Sequence, residues 1–436
     1  MSTFDPTTKT NRRGFLSATA ATAGTLALAR SVHGRGAAAP KALKMGVIGV
    51  GWYGMVDAMA ALKVGGVEVT AVCDVDSEHL NAAADQLEKL QGKRPATYKL
   101  HAEMLKKADL DVVAIGSPPH WHALQLIDCI KHGLDVYEEK PLAYDIREGR
   151  AMADCVSKSD RIVQVGFQRR QSAAFKQAAA AVKAGKIGQL VQADVQIHHR
   201  AGTKDTTPQA PPAALDWDLW CGPAPKIPYS PQVGHKSWRL ETTTGHGHLV
   251  DWGIHNVDAT RMMLGLGMPN RITAAGGIYH LQGKITTPDT LTVHFDFDRL
   301  PVVWRHRLWG ATEYNPEVNN GVFLYGDEGT IFVSDQKWVF VPTGKSAQRE
   351  EHTAPADLGA LHMANFLDCV RTRKQPDCQI EQGFQATATV QLAMIAYESA
   401  SVVQWDSKTE QILHNPAAAK LLKREYRKPY VHPYQG

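Results

Sequence analysis

An α/β chain in two domains is predicted: a doubly wound parallel sheet, then an α/β domain on a large, mostly antiparallel open-faced sheet. Three observations lead there. From Leu43 to about Phe167, apolar strand candidates alternate with helical stretches, the pattern of a parallel sheet covered on both faces. From about Ile187 the period becomes two, with Val191, Ala193, Val195 and Ile197 alternating with Gln192, Asp194, Gln196 and His198. That is a sheet with one buried and one polar face. The length of 436 residues suits two domains rather than one. The divisions expected are 1–39 as a removable leader, 40–170 and 171–405 as the domains, and 406–436 as a tail.

The leader comes first. Asn11-Arg12-Arg13-Gly14-Phe15-Leu16 opens an Ala/Thr-rich apolar run to Ala29, and small residues follow to Ala39-Pro40. A charged start, an apolar middle and a small-residue end make a signal peptide. Paired arginines before Phe-Leu resemble a twin-arginine (Tat) export signal, with cleavage after Ala39 or Ala29. The segment has no cysteine for lipidation, so a soluble, periplasmic or otherwise exported protein is expected. Residues 1–39 carry five Lys/Arg and one Asp, so their removal takes the formal charge from +4 to zero. Nothing then favours nucleic acid or an anionic membrane as partner. No stretch reaches the roughly 18 apolar residues of a membrane span.

Strand candidates in the first domain are Met45–Val50, Val69–Cys73, Val112–Ile115, Asp135–Tyr137 and Ile162–Val165, with helices such as Ser77–Leu90 and Ala123–His132 between them. The segment Ala201–Gly247 is rich in Pro, Gly and Trp and reads as loop. Loops this long are usually functional or disordered, and Trp217, Trp220 and Trp238 argue against disorder. Leu291, Val293, Phe295 and Phe297 mark another alternating strand, followed by candidates at Val302–Leu308, Val322–Tyr325 and Ile331–Val333. Met363, Phe366, Leu367 and Val370 stand at helical spacing, and Gln382–Val402 reads as a largely buried helix. The polar tail after Trp405 is expected to wrap over the surface. The six cysteines show no CxxC and no zinc spacing; Cys369 and Cys378 could pair in an oxidising compartment.

Gly49-Val50-Gly51-Trp52-Tyr53-Gly54 follows the first strand candidate and precedes a helix. Glycines at this spacing make a tight turn, admit a pyrophosphate and let the helix pack on the strand. The helix N-terminus then faces the phosphates. The first domain is therefore a Rossmann dinucleotide-binding domain. Asp74 ends the second strand candidate, 25 residues after Gly49. An acid there accepts from ribose hydroxyls and repels a 2′-phosphate. No Lys or Arg follows closely, so NAD is favoured over NADP. Trp52 and Tyr53 either line the nicotinamide end or cover the helix start.

Four further segments carry a resemblance: Tyr137-Glu138-Glu139-Lys140-Pro141-Leu142, Ser117-Pro118-Pro119-His120-Trp121-His122, Asp251 with His255 four residues on, and Tyr325-Gly326-Asp327-Glu328-Gly329-Thr330. Behind the glycine turn, with Glu139-Lys140-Pro141 preceding Asp251 and His255, they resemble the Gfo/Idh/MocA oxidoreductases over residues 43 to about 405. The resemblance implies that Lys140 lies beside the nicotinamide and hydrogen-bonds the reacting hydroxyl. His255 would take the hydroxyl proton, as an imidazole titrating near neutrality can. Asp251 would support both. Ser117, Glu139, His120 and His122 would lie at the cofactor, although either histidine could instead bond loop backbone.

Gln168 and Arg169, beyond the last strand of the first domain, stand where relatives contact substrate; His248 and Trp238 are further substrate candidates. The tryptophans could stack on a sugar or anchor the loop. Gly245-His246-Gly247-His248 suggests a metal cluster at first sight, but zinc needs three or four fixed ligands and the family needs none; no metal is expected.

The resulting expectation is an NAD-dependent oxidoreductase acting on a secondary hydroxyl of a sugar or cyclic polyol. By resemblance it is a homo-dimer or homo-tetramer joined through the polar sheet face. A Tat route carries folded proteins, so the cofactor would be bound before export and kept. Two alternatives stand beside this: a glycoside hydrolase working by transient sugar oxidation, elimination and re-reduction on bound NAD, and a non-catalytic NAD-bearing sugar sensor.

Overall fold

The structure is a computed structural model that describes residues 41–311, 315–344 and 348–435. The expected signal peptide lies outside the described residues. Six strands form the first sheet: β1 (Leu43–Ile48), β2 (Val67–Cys73), β3 (Ala96–Tyr98), β4 (Val112–Ile115), β5 (Asp135–Glu138) and β6 (Val163–Val165). Their order is β3-β2-β1-β4-β5-β6, every pair parallel. This doubly wound order leaves a crevice at the carboxyl ends of β1 and β4, where it reverses. Strands β1 and β4 are apolar and buried, as a sheet covered on both faces demands. Strand β3 was not predicted: it is three largely exposed residues with no apolar run.

Ten strands form the second sheet: β7 (Leu190–Ile197), β8 (Arg271–Gly277), β9 (Thr290–Phe297), β10 (Leu300–Arg307), β11 (Asn320–Gly326), β12 (Gly329–Val333), β13 (Lys337–Pro342), β14 (Glu350–Thr353), β15 (Val403–Asp406) and β16 (Gln411–Leu413). Its pairings are antiparallel except β7 with β10. One face carries Val195, Val293, Phe295, Val302 and Leu324 into the main core, where Phe384, Leu392 and Ile395 of the helix Ile380–Glu398 and Val257 of the helix Ile254–Leu264 join them. The alternate residues of β9, Thr292 and His294, are exposed. The sheet is thus large, mostly antiparallel and open on one face.

Two elements cross between the halves. The helix Leu358–Thr372, beyond the second sheet, buries Met363, Phe366 and Leu367 against Met45, Val47 and Ala58 of the first domain. The tail does more than the expected surface wrap. After β15 and β16 it turns back to the first domain, where Arg424 and Tyr426 meet Glu148, and His432 meets Asp145 at 3.1 Å. The six cysteines are all free, so Cys369 and Cys378 are not paired. Among the described residues no helix is long and apolar enough to cross a membrane.

Candidate active site

The crevice at the carboxyl ends of β1 and β4 is a cavity of about 490 Å³. One wall is the glycine turn. Gly49 has φ 81°, and a Cβ there would stand 2.5 Å from the Ser117 nitrogen, so only glycine fits. A Cβ on Gly54 would overlap the Gly49 carbonyl; its absence lets the helix Tyr53–Val64 start against β1. That helix has no side-chain cap and no acid in its first turn, which leaves N–H groups for a phosphate. At the far side, Asp74 accepts from the Val50 amide at 2.8 Å and the Asp76 amide at 2.9 Å. These bonds fix the carboxylate, and each oxygen retains a lone pair for a ribose hydroxyl. Lys99 also lines this end but is engaged with Asp216 at 2.6 Å. The residues present therefore fit a dinucleotide with an unphosphorylated ribose.

At the other end the wall reaches Tyr53, Glu139 and Lys140. Lys140 Nζ lies 2.6 Å from the Asp251 carbonyl and 3.0 Å from its Oδ1, and the same Oδ1 accepts from Arg239 Nε at 3.0 Å. Burial alone would raise the Asp251 carboxyl, but Arg239 and Lys140 together hold it well below the usual carboxylate range. Asp251 lies in a π-helical turn, Leu249–Gly253, which runs into the helix carrying His255. His255 is 8 % exposed. Burial first, then Lys140 and Arg169, push its pKa well below the ordinary value, so the ring is neutral and a weaker base than the near-neutral imidazole the sequence led one to expect. Glu139 accepts from Gln168 Nε2 at 2.9 Å, and burial pushes its carboxyl up to about 7.

Of the three expected catalytic residues only Lys140 lines the cavity, Asp251 and His255 do not, and several other expected site residues are placed elsewhere. His120 is fully buried with Nε2 2.8 Å from the Trp220 carbonyl, and the ring nitrogens of His122 lie 3.0 and 2.7 Å from the Pro141 and Ser117 carbonyls. Neither lines the cavity. His122 acts through the loop it pins, since Ser117 does line the cavity. Gln168 is also off the wall, spent on Glu139 and Tyr137. Arg169 is buried and bonded to Asn256 and Asp335 at 2.6 Å each, so it braces the second domain from within. His248 is buried, 3.3 Å from the Ile197 carbonyl and packed on His306 and Trp252. His246 bonds the Tyr144 carbonyl instead, so the two histidines of the Gly-His-Gly-His run go to different partners. Trp217 and Trp220 stack on each other at 4.6 Å and anchor the long loop; Trp220 and Trp238 also line the cavity.

His79, His235, Lys236, Arg239 and Tyr430, none of them marked by a motif in the sequence, all stand on the cavity wall. Only the basic pair flanking Trp238 offered a signal. Tyr430 comes from the tail and meets Trp121 edge-on at 5.3 Å.

Comparison with known proteins agrees with this geometry. The model of the GFO_IDH_MocA oxidoreductase family, NAD-binding Rossmann fold, matches residues 43–167, and that of its C-terminal alpha/beta domain matches residues 194–432. The chain is 24 % identical to scyllo-inositol 2-dehydrogenase (NAD(+)) of Bacillus subtilis over 311 residues, 68 % of this chain and 77 % of that one. It is 26 % identical to an alpha-N-acetylgalactosaminidase of Shewanella oneidensis over 178 residues, 39 % of this chain and 38 % of that one. In fold it resembles myo-inositol 2-dehydrogenase from Lactobacillus plantarum, with a TM-score of 0.62 and 20 % identity, covering 84 % of this chain and 99 % of that one. The nucleotide that the first domain binds is NAD. A glycine turn, its acid and both domain halves thus converge on one conclusion: the chain belongs to the Gfo/Idh/MocA family of oxidoreductases, enzymes acting on CH–OH groups.

Proposed function

We propose that the protein oxidises a secondary hydroxyl of a sugar or cyclic polyol and keeps its NAD tightly bound. The observation that carries this is Lys140 on the wall of the dinucleotide cavity, with Asp251 Oδ1 3.0 Å from its Nζ and a neutral His255 one helical turn past Asp251. When bound, NAD would supply the acceptor for the hydride that leaves the carbinol carbon. Lys140 donates a hydrogen bond to the reacting oxygen, and Asp251 holds the ammonium in place. His255 takes the hydroxyl proton; its ring makes no hydrogen bond to another described residue and is free to do so. Glu139 and Tyr53 close the nicotinamide end, and Trp238 offers an apolar face to the sugar. The likeness to an inositol dehydrogenase over most of the chain supports a polyol substrate.

The match to an N-acetylgalactosaminidase favours a second reading, in which the same residues drive a closed redox cycle. Oxidation of a sugar hydroxyl acidifies the neighbouring C–H, the aglycone is eliminated, water adds and the hydride returns. Incubation with polyols and with aryl glycosides, each with and without added NAD, separates the two. Reduced nicotinamide from polyols supports the dehydrogenase. Many turnovers of glycoside without added NAD overturn it in favour of the hydrolase. Export belongs to the proposal too: the double substitution Arg12→Lys, Arg13→Lys is expected to hold the protein in the cytoplasm on cell fractionation.

A further inference from the structure

The long segment between β7 and the helix Ile254–Leu264 crosses the glycine turn, and its path is fixed at two places. The Ser77 amide donates to the Ala214 carbonyl at 3.0 Å and the Asp216 amide to the Val75 carbonyl at 3.1 Å, which ties the segment to the end of β2. Further on, the His235 ring lies 4.5 Å from that of His79, with its Nε2 3.5 Å from Asp76 Oδ2. His79 itself packs on the turn: a Cβ on Gly51 would come within 2.9 Å of its Nδ1. His235 has φ 43°, a conformation its own Cβ disfavours and its neighbours must hold.

Directly after this anchor come two cations. Lys236 Nζ lies 4.4 Å and Arg239 Cζ 5.0 Å from the Trp52 ring centre. Trp52 follows Gly51 in the turn and stands at the start of the uncapped helix. Arg239 shares the Asp251 carboxylate, whereas Lys236 forms no ion pair with another described residue. A lysine held over an indole at a cavity wall, with no counter-charge, is suited to an anionic ligand. The anion expected here is the pyrophosphate.

We propose that Lys236, carried on this pinned segment and seated on Trp52, binds the pyrophosphate of NAD and closes over the glycine turn from the second domain. The helix amides and this ammonium then hold the phosphates together, and release of the nucleotide requires the segment 235–239 to lift. This rests on NAD binding at the turn, and it supplies a structural cause for the tight binding proposed above.

The test uses the full chain freed of nucleotide, with Lys236→Ala, Lys236→Glu and Lys236→Arg, and NADH, ADP and adenosine as probes in calorimetry. Lys236→Ala is expected to weaken NADH and ADP about tenfold, the loss of one charge-assisted contact. Lys236→Glu should weaken them further, and Lys236→Arg should stay near wild type. Adenosine, which has no phosphate, should bind all four proteins alike. Added salt should weaken NADH binding more steeply in wild type than in Lys236→Ala. Unchanged NADH and ADP affinity in the Ala and Glu variants overturns the proposal, as does an equal loss for adenosine. Failure of wild type itself to bind NADH would overturn the cofactor assignment beneath it, a result distinguishable from either.

Discussion

Arg239, from the long loop of the second domain, donates to Asp251 at 3.0 Å through the oxygen that also receives Lys140. One carboxylate oxygen thus takes two cations from different parts of the chain, and the loop is coupled to the reacting end of the cavity. Arg239 also lies 4.3 Å from the Trp238 ring centre and 5.0 Å from that of Trp52. It is a positioning residue, since it acts through Asp251.

Removal of Arg239 should show in the pH profile. Asp251 stays ionised to low pH because Arg239 and Lys140 outweigh the effect of burial. In Arg239→Ala the Asp251 pKa rises, so the acid limb of the kcat profile should move to higher pH. Arg239→Lys should restore part of the shift, having the charge without the planar fork. An acid limb that does not move in Arg239→Ala would contradict this coupling.

Lys140→Met keeps an unbranched side chain one atom shorter and removes the donor. Turnover should fall by about 10²–10⁴-fold, the usual scale for a positioned proton donor or acceptor. NADH binding should stay within about threefold, because the phosphates and ribose are held elsewhere. Equal losses in turnover and NADH binding would place Lys140 in cofactor binding instead.

Glu139 makes stability depend on pH. Burial raises its carboxyl from 4.5 to about 7, so the folded state binds the proton more tightly than the unfolded chain. The stabilisation is complete below the unfolded value and is lost as pH climbs through the folded one. Glu139→Gln does not titrate and should gain on wild type across that interval, by up to roughly 3 kcal/mol. Urea unfolding at several pH values measures it; a constant difference between the two proteins would refute the assignment.

The tail should matter to stability. Glu148 is fully buried and receives Arg424 at 3.0 Å and the Tyr426 hydroxyl at 2.8 Å. Arg424→Ala leaves that carboxyl without its counter-charge and should cost about 3–5 kcal/mol. Adding Glu148→Gln should recover part of the loss, which denaturant midpoints would show.

What could be read in the sequence was local. The glycine turn and Asp74 each lie at a strand end of a repeating βα pattern, so spacing alone placed them, whereas Lys140 was placed by resemblance. Asp251 and His255 came from a motif four residues apart, and their neighbourhood to Lys140 from resemblance. His120 and His122 take the alternative left open for them, a ring nitrogen of each facing a backbone carbonyl, and Arg169 is spent on buried side chains. Lys236, Arg239 and Tyr430 were not legible. Their places depend on long-range ties such as Ser77 to Ala214 and Glu148 to Arg424, which no periodicity records. Strands β3 and β14 escaped because short polar strands carry no alternation of apolar residues, and β8, β13, β15 and β16 were not expected either.

The central claim is that Lys140, Asp251 and His255 present a sugar or polyol hydroxyl to a retained NAD. The most direct measurement is the near-ultraviolet absorbance of reduced nicotinamide in protein purified without added cofactor, followed while cyclic polyols and aldoses are added in turn. The expected result is stoichiometric reduction of bound nicotinamide by at least one of them in wild type, and none in Lys140→Met or His255→Ala proteins that still carry the nucleotide. Wild type carrying no nicotinamide, or reduction that persists unchanged in both variants, would contradict the account.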